Sequence, residues 1–183
     1  MKSYSLKVNT PYDNVKTNFI NIDVDTVVNE YIDNGVLHNI YIVKGGAKLV
    51  IETIINNSKF VNKNQESNII DIYHKVELKS DNSEVKINVK GVVDGNNKII
   101  YRSTIVTNDN YQNLKGEEKL RFVILNNEAE IDAIPSLEIA RNNVNASHSL
   151  KIERLDEKKL FYLVDHGIDI NEARKIYVDG LLK

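Results

Sequence analysis

The sequence predicts a mainly β chain that ends in a helical hairpin, and three observations carry that prediction. β-Branched residues alternate with polar ones over short spans through the middle of the chain. Turns rich in Asn, Asp and Gly separate those spans. After Leu155 the apolar spacing lengthens from two to three or four residues.

The strand readings run Asn39 to Val43, Lys48 to Ile55, Ile69 to Leu78, Glu84 to Val93 and Lys98 to Val106. Leu120 to Leu125, Glu130 to Ile139 and Val144 to Ile152 follow. In each, one parity is apolar and the other polar, as in Ile70, Ile72, His74, Val76 and Leu78, or Val85, Ile87 and Val89. That alternation fits a sheet with one face on a core and the other in water. Between the strands stand DNS (81–83), DGNN (94–97), NDN (108–110), NNE (126–128) and RNN (141–143). Asn, Asp and Gly tolerate left-handed backbone and bond their own main chain, so these are turns with a mechanism. About eight short strands at this spacing suit a sandwich, a barrel or a solenoid, and the pattern leaves the three open.

Residues 1–36 are harder to read: Phe19 to Val28 suggests a strand and a turn, and Tyr31 to Val36 shows little periodicity. The C-terminal region, residues 155–183, reads as two helices. Asp156 is placed to cap the first and Gly167 to end it, while Asp169 and Glu172 form a D-x-x-E capping pair for the second. Ala173, Ile176, Tyr177 and Leu181 make one apolar face. The hairpin therefore belongs to the same compact unit as residues 1–154, or packs on a partner.

Composition narrows the function classes. The 183 residues are 42% hydrophobic, enough for one domain with a real core. There is no bilayer-length apolar run and no leader-like apolar segment at the start, so a cytoplasmic protein is the expectation. With a net charge of -2 and no basic stripe, neither nucleic acid nor a membrane surface is an expected partner. The absence of cysteine removes disulfides, thiolate metal cages and a thiol nucleophile.

His148 is the odd residue. Val144, Ala146, His148, Leu150 and Ile152 share one strand face, and only the histidine is polar. Such a residue is ordinarily a core histidine with both ring nitrogens satisfied; as a desolvated neutral imidazole it is also a ligand for iron or zinc. His74 sits in the same way, and core packing is the expectation there. His38 falls at a turn-to-strand junction, and His166 at a helix C-terminus, where a cation complements free carbonyls. KGGAK (44–48) lacks phosphate-loop spacing and reads as a hairpin turn. DVD (23–25) and DGNN do not continue into a calcium loop. Glu130, Asp132 and Glu138 are the acids that a β-solenoid carbohydrate enzyme would need, yet they share the polar side of one strand.

The order of pieces says more than any one of them. A-E-I-D (Ala129 to Asp132), P-x-L-E-I (Pro135 to Ile139), S-H (Ser147, His148), L-D-E-x-x-L-F-Y-L (Leu155 to Leu163) and G-I-D-x-x-E-A (Gly167 to Ala173) resemble the C-terminal core of the SufB/SufD family, scaffolds of the SUF iron–sulfur assembly system. Val76–Glu77 and K-G-V-V-D (Lys90 to Asp94) fit more loosely, and the resemblance covers roughly the last hundred residues.

The resemblance implies a right-handed parallel β-helix with a helical C-terminus. It implies pairing of two β-helix chains, as homodimer or heterodimer, and docking of a SufC-type ABC ATPase on the helices around Leu160, Phe161, Tyr162, Gly167, Ile168, Ala173 and Ile176. Catalysis would then belong to the ATPase, with this chain non-catalytic. His148 matches the family histidine, a candidate ligand of iron or of a transient iron–sulfur cluster shared with a partner chain. Ala146 stands where SufD-like members carry cysteine, Ser147 and Ser149 where SufB-like members carry glutamates, and the upstream scaffold cysteine falls near Leu120. The chain is thus nearest to SufD with its thiols gone, and shorter than full members. Since thiolates normally hold clusters, it is not expected to hold one alone. The rival readings are the carbohydrate enzyme and a purely structural pairing module.

Overall fold

The computed structural model describes residues 1–8, 15–58, 67–140 and 144–183; the RNN turn at 141–143 lies outside them. Among the described residues eleven strands precede two helices. The strands are β1 (Lys2–Val8), β2 (Thr17–Ile22), β3 (Thr26–Ile32), β4 (Gly35–Val43), β5 (Lys48–Asn57) and β6 (Ile69–Leu78). They continue as β7 (Glu84–Val93), β8 (Lys98–Thr107), β9 (Lys115–Ile124), β10 (Glu130–Glu138) and β11 (Asn145–Arg154). The helices are α1 (Glu157–Asp165) and α2 (Ile170–Leu182).

Odd-numbered strands form one sheet in the order β1-β3-β5-β7-β9-β11, and even-numbered strands form the other, β10-β8-β6-β4-β2. Every pairing is parallel. The chain therefore alternates between two sheets and stacks coil on coil, which makes a parallel β-helix with the core between the sheets. KGGAK is accordingly not a hairpin turn. It joins β4 to β5 across the two sheets, with Gly45 and Gly46 at φ of 65° and 69°, because each strand finds its hydrogen-bonding partner one coil away.

Stacking sets the core in columns. Ile32, Ile55, Gly91, Phe122 and Ile152 occupy successive rungs of one sheet, and Leu37, Ile72, Tyr101 and Ala133 of the other. A Cβ on Gly91 would stand 2.5 Å from Phe122 Cδ1, so the glycine makes room for that ring. Corners are held by asparagine. Asn57 Nδ2 donates to the carbonyls of Asn68 and Lys98, and Asn97 Nδ2 donates to the Asn57 carbonyl. These bonds satisfy backbone groups that the bends take out of the ladders.

Asp156 caps α1 by accepting from Lys158 N, and Asp169 caps α2 by accepting from Asn171 and Glu172 N. Gly167 follows α1 at φ 85°. The outward parity of β7 and β9 carries Val92 and Val123, which Val178, Tyr177 and Leu181 of α2 cover together with Leu155 and Leu182. The hairpin is thus packed on the outer wall of the solenoid. No helix among the described residues is long and apolar enough to cross a membrane.

Candidate functional site

The interior is not wholly apolar. On the even sheet one inward column reads Asn18, Asn39, His74, Ser103, Pro135. Opposite it Glu30, Thr53, Val89, Leu120 and Leu150 stack on the odd sheet. Glu30 and His74 are both buried, with Nε2 and Oε2 3.0 Å apart. Their approach is off the hydrogen-bond direction, so the contact is chiefly coulombic. Glu30 also accepts from Asn39 Nδ2 at 3.3 Å, Tyr41 Oη at 2.9 Å and Thr53 Oγ1 at 2.7 Å. Burial pushes the Glu30 carboxyl up, but the His74 charge and these donors outweigh it and leave it below the usual value. Burial first, and the Glu30 charge second, push the Tyr41 phenol well up. His74 Nδ1 lies 3.1 Å from Tyr101 Oη, whose ring packs edge-on against the imidazole. His74 is the core histidine its parity suggested.

Beyond Tyr101 the network reaches Glu118 of β9. Its carboxyl is pushed up by burial; the Ser103 hydroxyl and the nearby His74 and His148 oppose that only in part. No hydrogen bond of good geometry closes on either carboxylate oxygen. Sequence reading missed both glutamates, although parity carried a signal: Glu30 falls in phase with Val28 and Ile32, and Glu118 with Leu120 and Phe122.

His148 pairs in register with Glu118 and shares its inward parity, but it is exposed. Parity alone placed it in a buried phase. The difference arises because β11 is the last strand of its sheet, so no further coil covers that rung. Leu150 and Ile152 on the same face are 39% and 44% exposed for the same reason. Among the described residues no three His, Asp or Glu side chains converge as a metal site.

The hairpin divides the residues singled out there. Leu160 and Ala173 are buried under it, whereas Phe161, Tyr162 and Ile176 are exposed. Gly167 and Ile168 occupy the turn between the helices, where His166 Nδ1 meets the Tyr162 carbonyl at 2.7 Å. Tyr162, Leu163, Ile176, Tyr177 and Leu181 line an apolar groove, flanked by Arg121, Lys158 and Lys159. His38 faces outward, 3.6 Å from Asp71. Glu130, Asp132 and Glu138 are exposed, and Glu130 pairs with Lys98 at 3.1 Å.

A two-sheet parallel solenoid with an open terminal rung and a helical hairpin on its wall defines a parallel β-helix protein. Residues 29–181 match the family model described as SUF system FeS cluster assembly, SufBD core domain, and the chain belongs to that family. It is 29% identical over 105 residues to an iron–sulfur cluster assembly SufBD family protein of Staphylococcus haemolyticus, covering 57% of this chain and 23% of that protein. A Galdieria sulphuraria protein of the same description is 29% identical over 102 residues, which cover 56% of this chain and 46% of the relative. The matched stretch thus spans less than half the length of these relatives.

Proposed function

We propose that the chain is a non-catalytic subunit of an iron–sulfur assembly complex. It docks a SufC-type ABC ATPase on its helical hairpin and pairs through its open β-helix end with a second SufB/SufD-family chain, itself or another. The observation that carries this reading is the apolar, cation-flanked groove of the hairpin, set on a chain whose last solenoid rung is uncovered. Phe161, Tyr162 and Ile176 offer apolar contact area, and Lys158 and Lys159 suit acidic groups on the partner.

The donor set of this chain does not fit a whole cluster. It has no cysteine, and the polar groups on the uncovered column are Glu118 and His148. A shared cluster would take its thiolates from the partner, with His148 as this chain's ligand.

The test is calorimetric titration of the chain with a SufC-type ATPase. Binding is expected, and Tyr162→Glu or Phe161→Glu is expected to weaken it roughly tenfold or more, as loss of a central aromatic contact does. No association with the wild-type chain would overturn the docking. Leu160 is a poor probe, because a charge there disrupts packing under the hairpin.

A further inference from the structure

His74 is the one fully buried imidazole among the described residues, and its two nitrogens face different partners. Nε2 lies 3.0 Å from Glu30 Oε2 of β3, and Nδ1 lies 3.1 Å from Tyr101 Oη of β8. Glu30 in turn accepts from Asn39 and Tyr41 of β4 and from Thr53 of β5, and the Tyr41 ring stands edge-on to His74. On the far side, the Tyr101 and Ser103 hydroxyls of β8 act on the Glu118 carboxyl of β9. All eight groups are buried, and together they form one polar cluster that spans both sheets.

Hydrogen-bond accounting fixes how the cluster is wired. The Glu30 carboxylate only accepts, so a bare Nε2 facing it would set lone pair against lone pair; Nε2 therefore carries a proton in both charge states of His74. Neutral His74 then has a bare Nδ1, and the Tyr101 hydroxyl donates to it. Protonated His74 donates from Nδ1 instead, and the Tyr101 oxygen becomes the acceptor. A hydroxyl has a single proton and rotates to suit its partners, so that proton must then find another acceptor. The Glu118 carboxyl is the acceptor on that side.

We propose that His74 is a buried proton switch: gaining a proton at Nδ1 turns the Tyr101 hydroxyl from His74 to Glu118. One N–H bond forms, with the proton taken from solvent, and no other covalent bond changes. As pH rises and His74 loses that proton, Glu118 loses a donor; as pH falls, it regains one. Glu118 lies one strand in from the uncovered edge of β11, so pH is read out toward the open end of the solenoid. The switch goes beyond the assembly reading and needs neither an ATPase nor a cluster.

The experiment is a pH titration of the full chain by NMR across roughly pH 5–8, the range in which imidazoles change charge. Long-range proton–nitrogen correlation spectra give the charge and tautomer of His74. NOEs locate the Tyr101 hydroxyl proton, which burial protects from exchange. Neutral His74 is expected to carry its proton on Nε2, with the Tyr101 proton beside the His74 ring. Protonation is expected to move that NOE to the Glu118 Hγ protons, with the midpoint of the His74 titration. A neutral His74 protonated at Nδ1, a Tyr101 proton that keeps one partner throughout, or a His74 that does not titrate in this range would each overturn the proposal. Where the hydroxyl proton exchanges too fast to detect, Tyr101→Phe decides, since it keeps the ring packed against His74 and Phe122. The step in the Glu118 Cδ shift at the His74 midpoint is expected to shrink in that variant, and a step equal to wild type overturns the switch.

Discussion

At the scale of the residue, two buried glutamates predict opposite behaviour. Glu30 accepts three hydrogen bonds and has His74 beside it, and its folded-state pKa lies below the ordinary value. Its stabilisation is therefore present above the unfolded-state pKa and is lost as pH falls through the lower folded one. Glu30→Gln disturbs the buried acceptor shared by Asn39, Tyr41 and Thr53 and is expected to cost about 1–3 kcal/mol, read by urea denaturation. Glu118 has a raised folded-state pKa. The unfolded chain ionises first, so this residue's destabilisation grows as pH rises from the ordinary carboxylate value to the raised one. Glu118→Gln is expected to match or exceed the wild-type midpoint at neutral pH. A midpoint well below wild type would show that the carboxylate is satisfied in the isolated chain.

At the scale of the element, the helices depend on caps and the strands on close stacking. Asp169→Ala removes the acceptor for two otherwise free backbone donors of α2 and is expected to cost about 1 kcal/mol. The loss should appear as reduced helical signal before the β signal melts, since α2 sits on the outer wall. Gly91→Ala acts within the core. Its methyl would meet the buried Phe122 ring, which Tyr101 backs, and overpacking of this kind costs about 1–3 kcal/mol. A thermal melt of the β signal checks it. Asp156 and Asp169 were both legible as caps in the sequence, because a cap is a local arrangement of a few adjacent residues. Gly91 was not, since its partner lies 31 residues away on the next rung.

At the scale of the whole molecule, parallel stacking leaves β10 and β11 with one hydrogen-bonding edge each and no covering coil. Such an edge invites another strand, and Leu150 and Ile152 place apolar surface beside it. Leu150→Lys is expected to shift any oligomer of the chain toward monomer in sedimentation velocity, with its β signal unchanged. The eight strand readings each found a strand, because alternation survives wherever one face is buried. β1, β2 and β3 were not resolved individually: β2 is largely exposed, and β3 carries a glutamate on its buried face.

The sequence by itself determined the β character, the turns at 81–83, 94–97, 108–110 and 126–128, the two capped helices and, through motif order, the family. Those properties reside in adjacent residues or in the order of motifs along the chain. Only the tertiary structure decided which inward positions are closed over. Periodicity assigns a side chain to a face, but the next coil decides whether that face is buried. That coil covers Glu118 and is missing over His148, so two residues of the same parity have opposite exposure.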